Sequence, residues 1–119
     1  MKVTINVTEN FRKAAKPLLK KYASLHNDLL KLQNELTQNP YLGVALGNNA
    51  YKIRLKISSK GKGKSGGARV ITLVQTMLLQ KIEITEAGEI KIYLLTIYDK
   101  SNTENISDSE LKELIDAYK

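Results

Sequence analysis

Two periods divide this chain. Between Phe11 and Leu36 the apolar residues return every third or fourth position, and beyond Ala50 they return every second one. Phe11, Ala15, Leu18 and Tyr22 share one face of a helix, with Thr8 ahead of them as the expected N-cap. Pro17 lacks an N–H donor and is expected to kink or divide that helix. Leu25, Leu29, Leu32 and Leu36 form a second helical stripe, with Ser24 as its expected cap and Asn39-Pro40 as its stop. Helices joined this closely should form an antiparallel pair covering one face of a sheet.

The strands follow from the shorter period. Lys2 to Val7 alternates and is rich in β-branched residues. Tyr51, Ile53, Leu55 and Ile57 point one way, and Lys52, Arg54, Lys56 and Ser58 the other. Three basic heads then stand in a row, ~7 Å apart along the strand. A glycine-rich loop at 61–67 leads into a strand from Ala68 to Gln75, opened by Arg69. Lys81 to Thr85 alternates, Glu86 to Glu89 reads as a turn, and Ile90 to Tyr98 reads as a central, buried strand, the second arm of a hairpin. Ser107 and Glu110 make a capping box for a last helix carrying Leu111, Leu114, Ile115 and Tyr118. The expectation is one α+β domain over residues 1–119, with a helical hairpin, an antiparallel sheet and a C-terminal helix.

Charge sharpens this picture once it is located. The chain has 119 residues and a net charge of +7. Lys52, Arg54, Lys56, Lys60, Lys62, Lys64 and Arg69 lie in one stretch without an acid, and the rest of the chain is neutral. Like charges packed so closely oppose folding, so an anionic partner is the simplest reason for them. The chain has no cysteine, which excludes disulfides and thiolate metal sites and fits a reducing compartment. No apolar run is long enough for a membrane helix, and Met1 to Val7 is too short and polar for a signal peptide. A cytoplasmic protein without cofactor or metal is expected.

The stretch SSKGKGKSGGARV (58–70) invites comparison with a phosphate-binding loop. That motif needs a glycine five residues before the Gly-Lys-Ser triplet, where Ser58 stands, and it must lead into a helix. Here the chain continues into the β-branched Val70-Ile71. A nucleotide loop is excluded on both grounds.

The segments NPYLGVALGNNAYKIRLKISSKGKGKSGGARVITLV (39–74) and IYLLTIYDKS (92–101) resemble the RelE/HigB family of type II toxins, small bacterial proteins paired with an antitoxin. The shared features are Asn-Pro and glycine before a Y-[KR]-[IL]-[RK] strand, a loop, a G-x-R-[VI]-[IL] strand, and a late apolar strand ending in Y-x-K. The helical segment FRKAAKPLLKKYASLHNDLLKLQNEL suits the same family. The resemblance implies a microbial-ribonuclease-like fold, cleavage of mRNA in the ribosomal A site, and a cognate antitoxin partner. By position it implies catalytic roles for Lys52, Arg54, Arg69, Tyr98 and Lys100, and Lys56, crowded by the same cations, joins them as a catalytic candidate. RNA contact falls to Lys60, Lys62, Lys64 and Ser65. Some members carry an arginine, or a histidine and a later tyrosine, where this chain has Asp99-Lys100-Ser101, and segment 76–89 is longer than usual.

Such chemistry needs one group to take a proton, another to give one, and cations to stabilise the phosphorane. Arg54 and Arg69 suit the last task because guanidinium forks match phosphate oxygens. Lysines crowded by cations have lowered pKa values, which makes Lys52, Lys56 and Lys60 candidates for proton transfer. Tyr98 is a candidate for base stacking or proton donation. His26, beside core leucines, is expected to have no catalytic part, and Tyr51 and Tyr93 to be packing residues. Two other functions compete: a gyrase-inhibiting toxin of the ParE type, and an RNA-binding module without activity.

Overall fold

The computed structural model of the chain describes residues 2–60, 67–78, 88–101 and 106–118. They form a five-stranded sheet with three helices: β1 (Lys2–Val7), α1 (Glu9–Lys21), α2 (Leu25–Gln38), β2 (Val44–Gly47), β3 (Ala50–Leu55), β4 (Ala68–Leu78), β5 (Gly88–Asp99) and α3 (Asp108–Asp116). The strand order is β1-β5-β4-β3-β2. The α+β class follows. The sheet is mixed, since β1 runs parallel to β5 while the other neighbours are antiparallel.

Each face of the sheet carries its own apolar cluster. Phe11, Ala15 and Leu18 of α1 and Leu25, Leu32 and Leu36 of α2 pack on Ile53, Leu55, Ile57, Val70, Ile92 and Ile97. On the opposite face Leu111, Leu114, Ile115 and Tyr118 gather over Ile71, Leu73, Tyr93 and Leu95. The period-two alternation of β3 is thus realised, with its aliphatic side chains turned toward the helical hairpin. Among the described residues no helix is long and apolar enough to cross a membrane.

Three local expectations need correction. Helix α1 is not divided at Pro17 but continues through it as one element, with both the proline and Lys13, whose carbonyl it leaves without a donor, exposed. Ser24 does not cap α2; its hydroxyl donates instead to Asp28 Oδ2 at 2.8 Å. The strand β2 was not foreseen. It returns through Asn48 and Asn49, both at positive φ (53° and 65°), the conformation that a two-residue hairpin turn requires. The Lys81–Thr85 arm and the first two residues of the turn after it lie outside the described residues, while Gly88 and Glu89 already belong to β5, which pairs with β4.

One irregularity decides which side chains share a face. Ile71 pairs with Thr96 but Thr72 pairs with Leu94, so Leu95 is an extra residue in β5. Such a bulge reverses the inside–outside parity of the strand that holds it. Before it, Ile92 and Leu94 face the helical hairpin; after it, Ile97 does, while Tyr98 turns to the other side. The carbonyls at the bulge are bonded from outside β5. Thr8 Oγ1 donates to Leu94 O at 2.7 Å, and Asn10 Nδ2 donates to Leu95 O at 2.9 Å. The same Thr8 oxygen accepts from the Phe11 N–H at 3.1 Å, so one hydroxyl caps α1 and pins the bulge.

Replacing Thr8 by alanine should therefore cost about 1–2 kcal/mol of stability, at the upper end for a cap. Thr8→Ser should restore most of it. Urea midpoints of the three proteins check this, and equal midpoints for alanine and threonine would contradict it.

Candidate nucleic-acid interface

Strand register builds the site. Arg54 of β3 stands opposite Arg69 of β4, and Arg69 stands opposite Tyr98 of β5. Directly opposed residues on antiparallel strands project from the same face, with Cβ atoms ~4.5–5.5 Å apart. Three expected site residues therefore form one row across three strands. One step along the same face, Lys52 stands opposite Ile71. Lys56 lies just past the last pair of β3 and is exposed, as is Arg54. Lys100 follows β5 directly, its N–H bonded to Gly67 O at 3.0 Å.

The row is not uniformly outward. Arg69 is only 5% exposed, and its Nη1 donates to Ala68 O at 3.1 Å. The Tyr98 hydroxyl is buried and makes no hydrogen bond among the described residues, although the ring is half-buried beside Ile106 at the approach to α3. Burial raises the Tyr98 pKa, outweighing the Ile106 backbone and the Arg69 charge, which pull the other way. Its phenol therefore stays protonated at neutral pH.

Behind the row, on the hairpin side, lies a cluster that the sequence did not announce. Asp99 is 3% exposed and accepts hydrogen bonds from Tyr22 Oη at 2.5 Å, Lys60 Nζ at 2.8 Å and Ser101 N at 2.9 Å. Lys60 also bonds Ser101 Oγ and sits 5.5 Å above the Tyr22 ring. Burial alone would raise the Asp99 pKa, but these donors hold its carboxyl well below the ordinary carboxylate range. Burial likewise opposes the Lys60 charge, yet Asp99 lifts its pKa above the ordinary lysine value.

Lys60 was expected to grip RNA and to have a lowered pKa among cations. The pKa moves the other way, because its nearest charge is a buried carboxylate, and its ammonium is engaged by Asp99 and Ser101. The signal was a single acid between Tyr98 and Lys100 at the end of an apolar strand. A smaller polar cluster fixes the turn after β3: Asp28 accepts from Ser58 N at 3.0 Å and from Ser58 Oγ at 2.7 Å. His26 is exposed on α2, and Tyr51 and Tyr93 pack against the two cores, as expected.

The structure thus unites Arg54, Arg69 and Tyr98, with Lys52 and Lys56 beside them, and sets Lys60 apart. Lys62, Lys64 and Ser65 lie outside the described residues. No group of three His, Cys, Asp or Glu side chains suited to a metal occurs among the described residues. No protein-family model matches the chain.

The buried pair sets a pH dependence. Asp99, with its depressed pKa, contributes fully above pH ~4, the unfolded carboxylate value, and this is lost as pH falls toward its folded pKa. Lys60, with its raised pKa, contributes through neutrality and loses this only above the ordinary lysine range. Asp99→Asn should cost about 3–5 kcal/mol, the usual result of breaking a buried pair. It should also flatten the decline of stability between pH ~4 and ~2. Denaturant titrations across that range check both effects.

Proposed function

We propose that this protein is the toxin of a bacterial type II toxin–antitoxin pair, a RelE/HigB-like cytoplasmic endoribonuclease that cuts mRNA in the ribosomal A site. The observation carrying this reading is the Arg54–Arg69–Tyr98 row, two guanidinium groups and a protonated phenol on one face of three adjacent strands. Together with the resemblance in residues 39–74 and 92–101, it favours a catalyst over a simple phosphate-binding surface, which needs no buried proton donor.

RNA supplies its own nucleophile. The 2′-hydroxyl oxygen forms a bond to the adjacent phosphorus while the bond from phosphorus to the 5′-oxygen breaks, leaving a 2′,3′-cyclic phosphate and a 5′-hydroxyl. A solvent water takes the attacking hydroxyl's proton, while Lys52 and Lys56, which flank Arg54 along the strand, hold the neighbouring phosphates. Arg54 meets the phosphate at the surface, and Arg69 supports the growing negative charge from behind it. Tyr98, whose phenol holds its proton at neutral pH, gives it to the departing 5′-oxygen. The excess positive charge between residues 52 and 69 suits neutralisation by an acidic segment of the antitoxin.

Purified protein added to translating ribosomes should leave new RNA ends with 5′-hydroxyls inside coding regions. Arg69→Lys, which keeps the charge but loses the fork, should cut about 10²–10³-fold more slowly. Tyr98→Phe should be about 10²-fold or more slower with an unchanged melting temperature. Intact message with folded, antitoxin-free protein would sink the reading, and a DNA-damage response in its place would point to gyrase.

A further inference from the structure

Beside Tyr98, a cleft of about 380 Å³ opens between β5 and α3. Its most buried lining residue is Thr96, 9% exposed. Thr96 stands opposite Ile71 as Tyr98 stands opposite Arg69, so the two share a face of the sheet, ~7 Å apart along the strand. The Thr96 hydroxyl has no hydrogen-bond partner among the described residues. A hydroxyl buried in this way is costly unless something entering from outside bonds it.

The mouth of the cleft is acidic. Glu110 and Glu113 are exposed neighbours on one face of α3, with Cβ atoms ~5–6 Å apart. Glu110 Oε1 accepts from Ser107 Oγ at 3.1 Å, whereas Glu113 has no bonded partner among the described residues. Asn10 Nδ2 is committed to Leu95 O, which leaves its Oδ1 to accept. No lysine or arginine is among the described lining residues. The remaining wall is apolar: Ile106, Leu114 and the ring of Tyr118, which is held 5.5 Å from that of Tyr93.

We infer that this cleft binds a small aliphatic diamine, one ammonium group reaching Thr96 and the other held by Glu113. An ammonium group donates three hydrogen bonds and accepts none, which matches a cleft whose polar side chains offer oxygens. The methylenes between the two charges would cover Ile106 and Leu114, and the Tyr118 ring would add attraction through its face. A nucleotide fits less well, because its phosphate would meet two carboxylates with no described cation between them. A metal ion fits less well too, since no group of three suitable ligands occurs among the described residues. A diamine seated here would extend the positive charge of the Arg54–Arg69–Tyr98 row at its Tyr98 end. The inference itself does not depend on RNA cleavage.

Putrescine titrated into the full-length protein at low salt should shift the amide resonances of Thr96, Glu113 and Tyr118 together, with one dissociation constant. Butylamine, with a single ammonium group, should bind about fivefold more weakly. Butanediol, the uncharged analogue, should leave the resonances in place. Thr96→Val should weaken putrescine binding about tenfold with an unchanged or higher melting temperature, because the lost hydroxyl has no partner in the protein. Glu113→Gln should weaken it about fivefold. The inference is overturned if putrescine shifts none of these resonances, if Thr96→Val binds it as well as the parent, or if butanediol acts equally. It is overturned also if magnesium chloride at the same concentration, or guanosine, takes the cleft in preference to putrescine. Binding is read without RNA, so this outcome stands apart from that of the cleavage assay.

Discussion

The arrangement of this molecule depends on one extra residue in β5. A strand without the bulge at Leu95 would keep its parity from Ile90 to Asp99, and Tyr98 would then point into the helical hairpin. Asp99 would face α3, away from Tyr22 and Lys60. The bulge lets the lower half of β5 bury Ile92 and Leu94 under the hairpin while the upper half presents Tyr98 beside Arg69. The Leu94 and Leu95 carbonyls at the bulge accept from the side chains of Thr8 and Asn10. The start of the first helix and the far end of the last strand are thereby one structural unit.

On either side of that strand end, two kinds of positive charge are handled differently. Arg54 and Lys56 stand exposed, where solvent makes their mutual repulsion tolerable. Lys60 lies inside, and a buried ammonium survives only with a carboxylate in contact and its remaining donors engaged. Asp99 provides this and at the same time ties the end of α1, the turn after β3 and the end of β5 to a single point. The basic segment that looks continuous in the sequence is therefore divided between a surface and an anchor.

Both helical stripes and the alternation of β3 were legible because their apolar spacing is unambiguous. Leu25, Leu32 and Leu36 are buried where a 3.6-residue period puts them, and Ile53, Leu55 and Ile57 where a two-residue period does. The Ser107 hydroxyl accepts from the Glu110 N–H, as the capping box implied. The bulge was not legible. Leu94-Leu95-Thr96-Ile97 is fully buried, and a stretch apolar on both sides carries no parity signal to break. The Lys60–Asp99 contact was hidden for another reason, since the partners lie far apart in the chain and each resembles an ordinary surface charge. Strand β2 escaped because Val44-Ala45-Leu46 is short and mostly exposed, and only the paired asparagines after it mark a hairpin.

The division between anchor and surface also separates how the two respond to dissolved ions. Mobile counterions cannot reach a carboxylate and an ammonium enclosed at 1% and 10% side-chain exposure, so their attraction persists in concentrated salt. The outward guanidinium and ammonium groups of β3 enjoy no such shelter, and their pull on a polyanion fades over the same range. Ionic strength therefore acts on this protein as a selective dial, weakening the attraction its surface exerts on any polyanion while the scaffold beneath keeps its shape.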